Sequence, residues 1–175
     1  VAVERIINAI TAGELITIYG DYDVDGITST SLMVKVLTDL GARVDYYIPE
    51  RQSEGYGLNS EALNAIYDNK SSLLITVDCG ISAVAEVEAI SDKLDIIITD
   101  HHQPPEVLPK SFAIINPKQV DCTYPEKNLA GVGVAFKLCQ ALWLELKKEN
   151  LMKYLDLVAI GTVADIVSLL GENRL

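Results

Sequence analysis

Two hydrophobic spacings alternate along this chain. Short apolar, β-branched runs at residues 15–18, 43–48, 73–77, 95–99 and 112–116, bounded by Gly, Pro, Asn or Asp, predict five strands. Pro49 and Pro117 stop the second and fifth, and the uninterrupted run at 73–77 suits a strand covered on both faces. Between them, helical spacing predicts a short helix over 3–11 and a second over 29–40, built on Leu32, Val34, Val36, Leu37 and Leu40. A third helix is capped by Asn59 or Ser60 and runs to about Asp68; a fourth is capped by Ser82 and runs to about Ile90. Residues 131–149, with Phe136, Leu138, Leu142, Trp143 and Leu146 on the core side, and residues 154–163 complete the set. Strands alternating with helices predict an α/β fold: a parallel, Rossmann-like sheet of about five strands with helices on both faces.

Two polar segments interrupt the alternation, a glycine-bearing loop at 50–57 and a loop at 118–129 containing Cys122 and Pro125. At 175 residues and 49% hydrophobic content the chain suits one well-buried domain, and disorder is excluded as a general description. No apolar run approaches the ~20 residues that span a bilayer, and the first residues lack a basic stretch followed by a hydrophobic one. The expectation is a soluble cytoplasmic protein. Cys79, Cys122 and Cys139 show no Cys-x-x-Cys spacing, which suits a reducing compartment and argues against structural zinc. The formal net charge of -11 argues against a bare electrostatic nucleic-acid binder.

Candidate chemistry gathers where strands end. Asp21, Asp23 and Asp25 follow the first strand, in the turn where an open parallel sheet presents its ligand crevice. Like charges this close raise one another's pKa unless a cation neutralises them, so the stretch is either a divalent-metal site or a solvated acidic turn. Asp78 closes the third strand, and Asp100, His101 and His102 close the fourth; the chain has only two His. Carboxylates with imidazole and no thiolate favour Mn2+ or Mg2+ over zinc, and alternation along the strand turns Cys79 away. Such a site with two ions suits phosphoester hydrolysis and needs a bridging carboxylate, for which Asp78 is the best placed.

The ordered series Gly-Asp-Tyr-Asp-Val-Asp-Gly (20–26), Val-Asp-Cys-Gly-Ile (77–81), Thr-Asp-His-His (99–102), Leu-Ala-Gly-Val-Gly-Val-Ala-Phe (129–136) and Asp-Leu-Val-Ala-Ile-Gly-Thr-Val-Ala-Asp (156–165) resembles the DHH phosphoesterase superfamily. Within it, the series is most similar to the exonucleases specific for single-stranded DNA. The resemblance implies one or two Mn2+ or Mg2+ ions on Asp23, Asp25, Asp78, His101 and Asp165, with Asp21 in or beside the ligand set. His102 falls on a position that contacts the scissile phosphate. Tyr19 stands where other branches of the superfamily carry a metal-binding His. Arg51 matches a loop that holds the 5′ end, and its guanidinium suits a terminal phosphate. Tyr56 either stacks on a base or covers the core edge. Gly131 and Gly133 either let backbone N–H groups approach an anion or serve close helix packing, and Asp156 reads as a helix N-terminal charge.

The implied activity is 5′-to-3′ degradation of single-stranded DNA to mononucleotides in DNA repair and recombination, with single-strand-binding protein and helicases as further partners and no membrane. The alternatives are a DHH hydrolase of short oligonucleotides, cyclic dinucleotides or pyrophosphate, and a non-catalytic replication scaffold on the same fold. Residues 1–175 read as the catalytic DHH domain, with the family's second DHH-associated domain and oligonucleotide-binding domain outside the chain. With 14 Lys and Arg against 25 Asp and Glu, and 6% aromatic residues, the chain by itself is expected to bind Mn2+ but to hold a strand weakly.

Overall fold

The structure, a computed structural model, describes residues 1–50, 55, 57–147 and 149–175. In chain order these form Ala2–Ala12 (α1), Leu15–Gly20 (β1), Val24–Asp39 (α2), Arg43–Tyr47 (β2), Ser60–Asp68 (α3), Ser71–Val77 (β3), Val84–Glu88 (α4), Asp95–Thr99 (β4), Ala113–Ile115 (β5), Gly131–Lys147 (α5) and Leu155–Ala164 (α6). A short 3-10 turn, Gly171–Arg174, follows. The five strands are all parallel, in the order β2-β1-β3-β4-β5. This is the doubly wound order in which the chain reverses direction across the sheet between β1 and β3, and ligands of such folds bind above the carboxyl ends of those two strands.

The strands alternate their side chains between two apolar layers. Ile16, Ile18, Leu73, Ile75, Val77 and Ile97 pack on one face with residues of α1, α2 and α5, among them Ile6, Leu32, Met33, Val36 and Leu142. Leu74, Ile96 and Ile98 face the other way, onto Leu63, Ile66, Val87 and Ile90 of the α3–α4 layer. Each such side chain, fully withdrawn from water, contributes ~1.5–3 kcal/mol, and this two-sided burial is what fixes the strand register. Helices therefore cover both faces of the sheet, as the alternation of elements predicts.

That register matters for function. Gly20 pairs with Val77, Val77 with Thr99, and Thr99 with Ile115, so four strands end level. The next residue on each, Asp21, Asp78, Asp100 and Asn116, forms a row along the carboxyl edge.

Three boundaries depart from the sequence reading. Helix α2 begins at Val24 rather than 29, because Asp23 is its N-cap and accepts the Gly26 amide at 2.9 Å. Asp25 consequently sits in the first helical turn, not in a loop. Helix α4 has five residues and follows Ala83, with no side-chain cap from Ser82. Strand β5 is confined to three residues.

Candidate metal centre

Each acid of the cluster is held by a different backbone device. Gly26 lets the start of α2 fold against β1's end, since a β-carbon there would lie 2.5 Å from the Asp21 carbonyl oxygen. Asp21 is buried, its Oδ1 accepting the Tyr22 amide at 2.7 Å, and burial raises its pKa. Asp25 is buried under the amino end of α5, where its Oδ2 accepts the Gly131 amide at 2.6 Å and its Oδ1 the Val132 amide at 2.8 Å. Burial lifts its pKa to about 6 against those two donors. A carboxylate at a helix N-terminus is favoured both by the free N–H groups and by the dipole. The Gly131 amide thus meets an anion, but the anion is the protein's own Asp25.

Asp78 takes up a left-handed backbone conformation, φ 60°, which Asp tolerates better than most residues. Its amide continues the sheet by donating to Thr99 O at 3.0 Å, while its side chain is buried with Oδ1 lacking any hydrogen-bond partner among the described residues. Burial, then the charges of Asp25 and Asp23, push its pKa up to about 10. Asp165 ends α6, and its neighbour Ile166 is a β-branched residue at φ 58°, a strained conformation held in place right beside the cluster. Gly161 lets α6 approach, because a β-carbon there would meet Thr28 Oγ1 at 2.4 Å and Asp25 Oδ1 at 3.0 Å.

The two histidines have opposite roles. His101 is buried among the acids, its Nε2 3.2 Å from Asp78 Oδ1, 3.7 Å from Asp165 Oδ2 and 3.9 Å from Asp25 Oδ2. Neither ring nitrogen makes a hydrogen bond among the described residues. Burial, then the neighbouring His102 charge, lowers its pKa, so the ring offers a neutral lone pair. His102 stands at the rim with its side chain 45% exposed, and its Nδ1 meets Asp100 Oδ1 at 2.7 Å. That hydrogen bond raises the His102 pKa to about 9.

Asp100 organises this corner. Its Oδ1 also accepts the His101 and His102 amides at 2.7 and 3.0 Å, and its Oδ2 the Ile81 amide at 2.9 Å. Burial alone would raise its pKa, yet the His102 ring and the His102 and Ile81 amides bring it below the usual carboxylate range. The sequence reading placed Asp100 in a motif without giving it this task; an acid directly before two histidines at a strand's end was the available signal. It missed Asn116 altogether, whose only sequence signal is a turn before Pro117.

Donor atoms converge in three overlapping groups, each within 4.8 Å: Asp21, Asp23 and Asp78; Asp25, His101 and Asp165; and Asp78, His101 and His102. Asp78 and His101 each belong to two of them. The sequence candidates Asp21, Asp23, Asp25, Asp78, His101, His102 and Asp165 are therefore assembled in one place. Tyr19 is not among them: its ring is buried in the layer of α3 and α4, stacked on Tyr47, with its hydroxyl donating to Gly57 O at 2.9 Å. Cys79 likewise points into that opposite layer, and burial raises its thiol pKa. Gly133 packs against the Leu129 side chain, and Asp156 lies exposed in the first turn of α6. Arg51 and Tyr56 lie outside the described residues. Among the described residues, no helix is long and apolar enough to cross a membrane.

Comparison with known proteins agrees with this geometry. The DHH family, N-terminal domain, matches residues 15–162. The chain is 56% identical over 175 residues to the single-stranded-DNA-specific exonuclease RecJ of Bacillus subtilis strain 168, covering 99% of this chain and 22% of that protein. Against the RecJ of Escherichia coli strain K12 it is 46% identical over 187 residues, covering 99% of this chain and 32% of that protein. A crystal structure of exonuclease RecJ bound to manganese superposes with a TM-score of 0.91 at 38% identity, over 99% of this chain and 44% of that one. The chain spans about a fifth to a third of the length of these curated relatives. With its ordered motifs assembled at the carboxyl edge of the sheet and the family match spanning most of its residues, the chain belongs to the DHH family.

Proposed function

We propose that this chain carries the catalytic centre of a Mn2+- or Mg2+-dependent exonuclease that degrades single-stranded DNA from the 5′ end to mononucleotides, in DNA repair and recombination. One observation carries the metal reading: among the described residues, Asp78 Oδ1 and both ring nitrogens of His101 are buried without hydrogen bonds amid further carboxylates. An unpaired buried polar atom costs ~1–3 kcal/mol, and more when charged, and a hard divalent cation relieves that cost for Asp78 Oδ1 and for the one ring nitrogen of His101 that carries a lone pair. Asp23, Asp25, Asp78, His101 and Asp165 would hold the ions, with Asp21 beside them and Asp78 shared. Bound there, divalent cations supply activation of water and charge stabilisation at phosphorus.

The protein's own groups set up the rest. Asp100 anchors the His102 ring and keeps it cationic at neutral pH, so the exposed edge of the imidazolium donates toward a phosphate oxygen at the mouth of the cluster. Asp25 is fixed from behind by the two α5 amides, while the absence of a side chain at position 131 leaves room for Asp78 beside it. The substrate class follows the similarity to the RecJ exonucleases at up to 56% identity.

The test is an end-product assay on 5′-phosphorylated single strands, duplexes and dinucleotides with manganese or chelator. Manganese-dependent release of mononucleotides from single strands in preference to duplexes supports the reading. Hydrolysis confined to dinucleotides overturns it in favour of a small-substrate DHH hydrolase.

A further inference from the structure

Behind His102 lies a polar side chain outside the acidic cluster. Asn116 follows β5, at the end of the row Asp21, Asp78, Asp100, Asn116, and is 2% exposed. Its Nδ2 donates to the backbone carbonyl of His102 at 2.9 Å, and its Oδ1 accepts the Lys118 amide at 2.8 Å. The loop beyond reinforces this placement. Gln119 donates its Nε2 to Asn116 O at 3.2 Å and to Ile114 O at 3.3 Å, and Lys127 Nζ ties Cys122 O and Pro117 O at 2.6 and 2.8 Å.

His102 is thereby gripped at two points. Asp100 takes the ring Nδ1 and the amide from one side, and Asn116 takes the carbonyl from the other. After His102 the chain turns into the Pro104-Pro105 segment with no regular structure, and the Asn116 contact ties the His102 carbonyl at the point where the chain leaves the sheet edge. The buried Asn116 amide is satisfied by hydrogen bonds on both its ends, which ties the His102 carbonyl to the residue that follows β5.

We propose that Asn116 is a positioning residue that fixes the main chain of His102 and so aims its imidazole at the substrate phosphate. The proposal rests on the nuclease reading for the word substrate, but the positioning itself is a property of the metal-free chain.

Because the chain has only two histidines, the two Cε1–H NMR signals can be followed separately, assigned through His102→Ala. The variant Asn116→Asp keeps the acceptor for Lys118 and sets an oxygen against the His102 carbonyl; Asn116→Ser is the second variant. In chelator at one fixed pH, the His102 signal is expected to move toward that of a free imidazole while the His101 signal stays. With manganese, kcat for single-strand cleavage should fall about 10- to 100-fold with KM little changed, the scale of a small misplacement of an acting group. In the His102→Ala background the same substitution should have no further effect on the residual rate, as required of a residue acting through another. An unmoved His102 signal, equal movement of both signals, or an undiminished loss in the His102→Ala background overturns the proposal, as does failure of both variants to fold. Absence of nuclease activity in the unaltered chain sinks the nuclease reading instead, and the ring signals alone then decide about Asn116.

Discussion

Gly131 lies so close to Asp78 that a β-carbon on it would sit 2.4 Å from Asp78 Oδ1 and 2.6 Å from Asp78 Cβ. The amino end of α5 can hold Asp25 through two amides only because residue 131 presents no side chain to the acid of β3. Gly131→Ala is therefore expected to cost about 1–3 kcal/mol, the range for overpacking a close-fitted site, and to weaken manganese binding as Asp78 is displaced. Denaturant unfolding in chelator measures the first, and the penalty should shrink in an Asp78→Gly background. A penalty of the same size with and without the Asp78 side chain would show that the clash is elsewhere.

The metal-free protein should lose stability as pH rises from about 6.5 to about 9. Asp78, lifted to about 10 by burial and its acidic neighbours, keeps a proton in the folded chain that the unfolded chain has released, so stability falls with pH until the folded pKa is passed. His102, raised to about 9 by Asp100, contributes stability that is complete below 6.5 and lost as pH climbs through 9, the same sign. His101, with a lowered pKa, acts in the opposite sense only below its ordinary 6.5. One retained proton gives a slope approaching ~1.4 kcal/mol per pH unit. Asp78→Asn, which tolerates the left-handed backbone, should remove about half of the fall, leaving the His102 part, while removing hydrolysis; an equally steep fall in that variant would acquit Asp78.

Asp23 caps α2 and, on the proposed reading, is also a metal ligand. As N-cap of α2 it is replaceable by Ser, so Asp23→Ser should change stability by no more than a few tenths of a kcal/mol, whereas Asp23→Ala should cost about 1 kcal/mol. Both should weaken manganese binding by a similar factor, because both remove the carboxylate. Calorimetry on the two variants checks this, and normal affinity in Asp23→Ser would take Asp23 out of the ligand set.

Periodicity carried the strands and the parallel α/β architecture, because two-sided burial writes apolar runs directly into the chain. The acids at three strand ends were legible for a related reason: in a parallel sheet all carboxyl ends share one edge. The start of α2 was not, since an Asp-Tyr-Asp-Val-Asp-Gly stretch reads as a turn until Asp23 is seen capping Gly26. Contacts between residues distant in sequence left no trace, and the bond from Gly131 to Asp25 spans 106 positions. The same holds for Asn116 and His102, and for the glycine at 161 that seats α6 on Asp25. A single asparagine or glycine signals a turn or a close approach without naming its partner.

The proposed chemistry depends on Asp78 and His101, whose buried atoms make no hydrogen bond among the described residues, being metal ligands. A calorimetric titration of manganese into the chelator-stripped chain at neutral pH tests that directly, with Asp78→Asn and His101→Ala titrated alongside. Saturable binding of one or two ions per chain, with proton release and at least tenfold weakening in each variant, is the expected result. Binding no tighter in the unaltered chain than in the two variants would mean that these atoms hold no metal, and the proposed chemistry would fall with them.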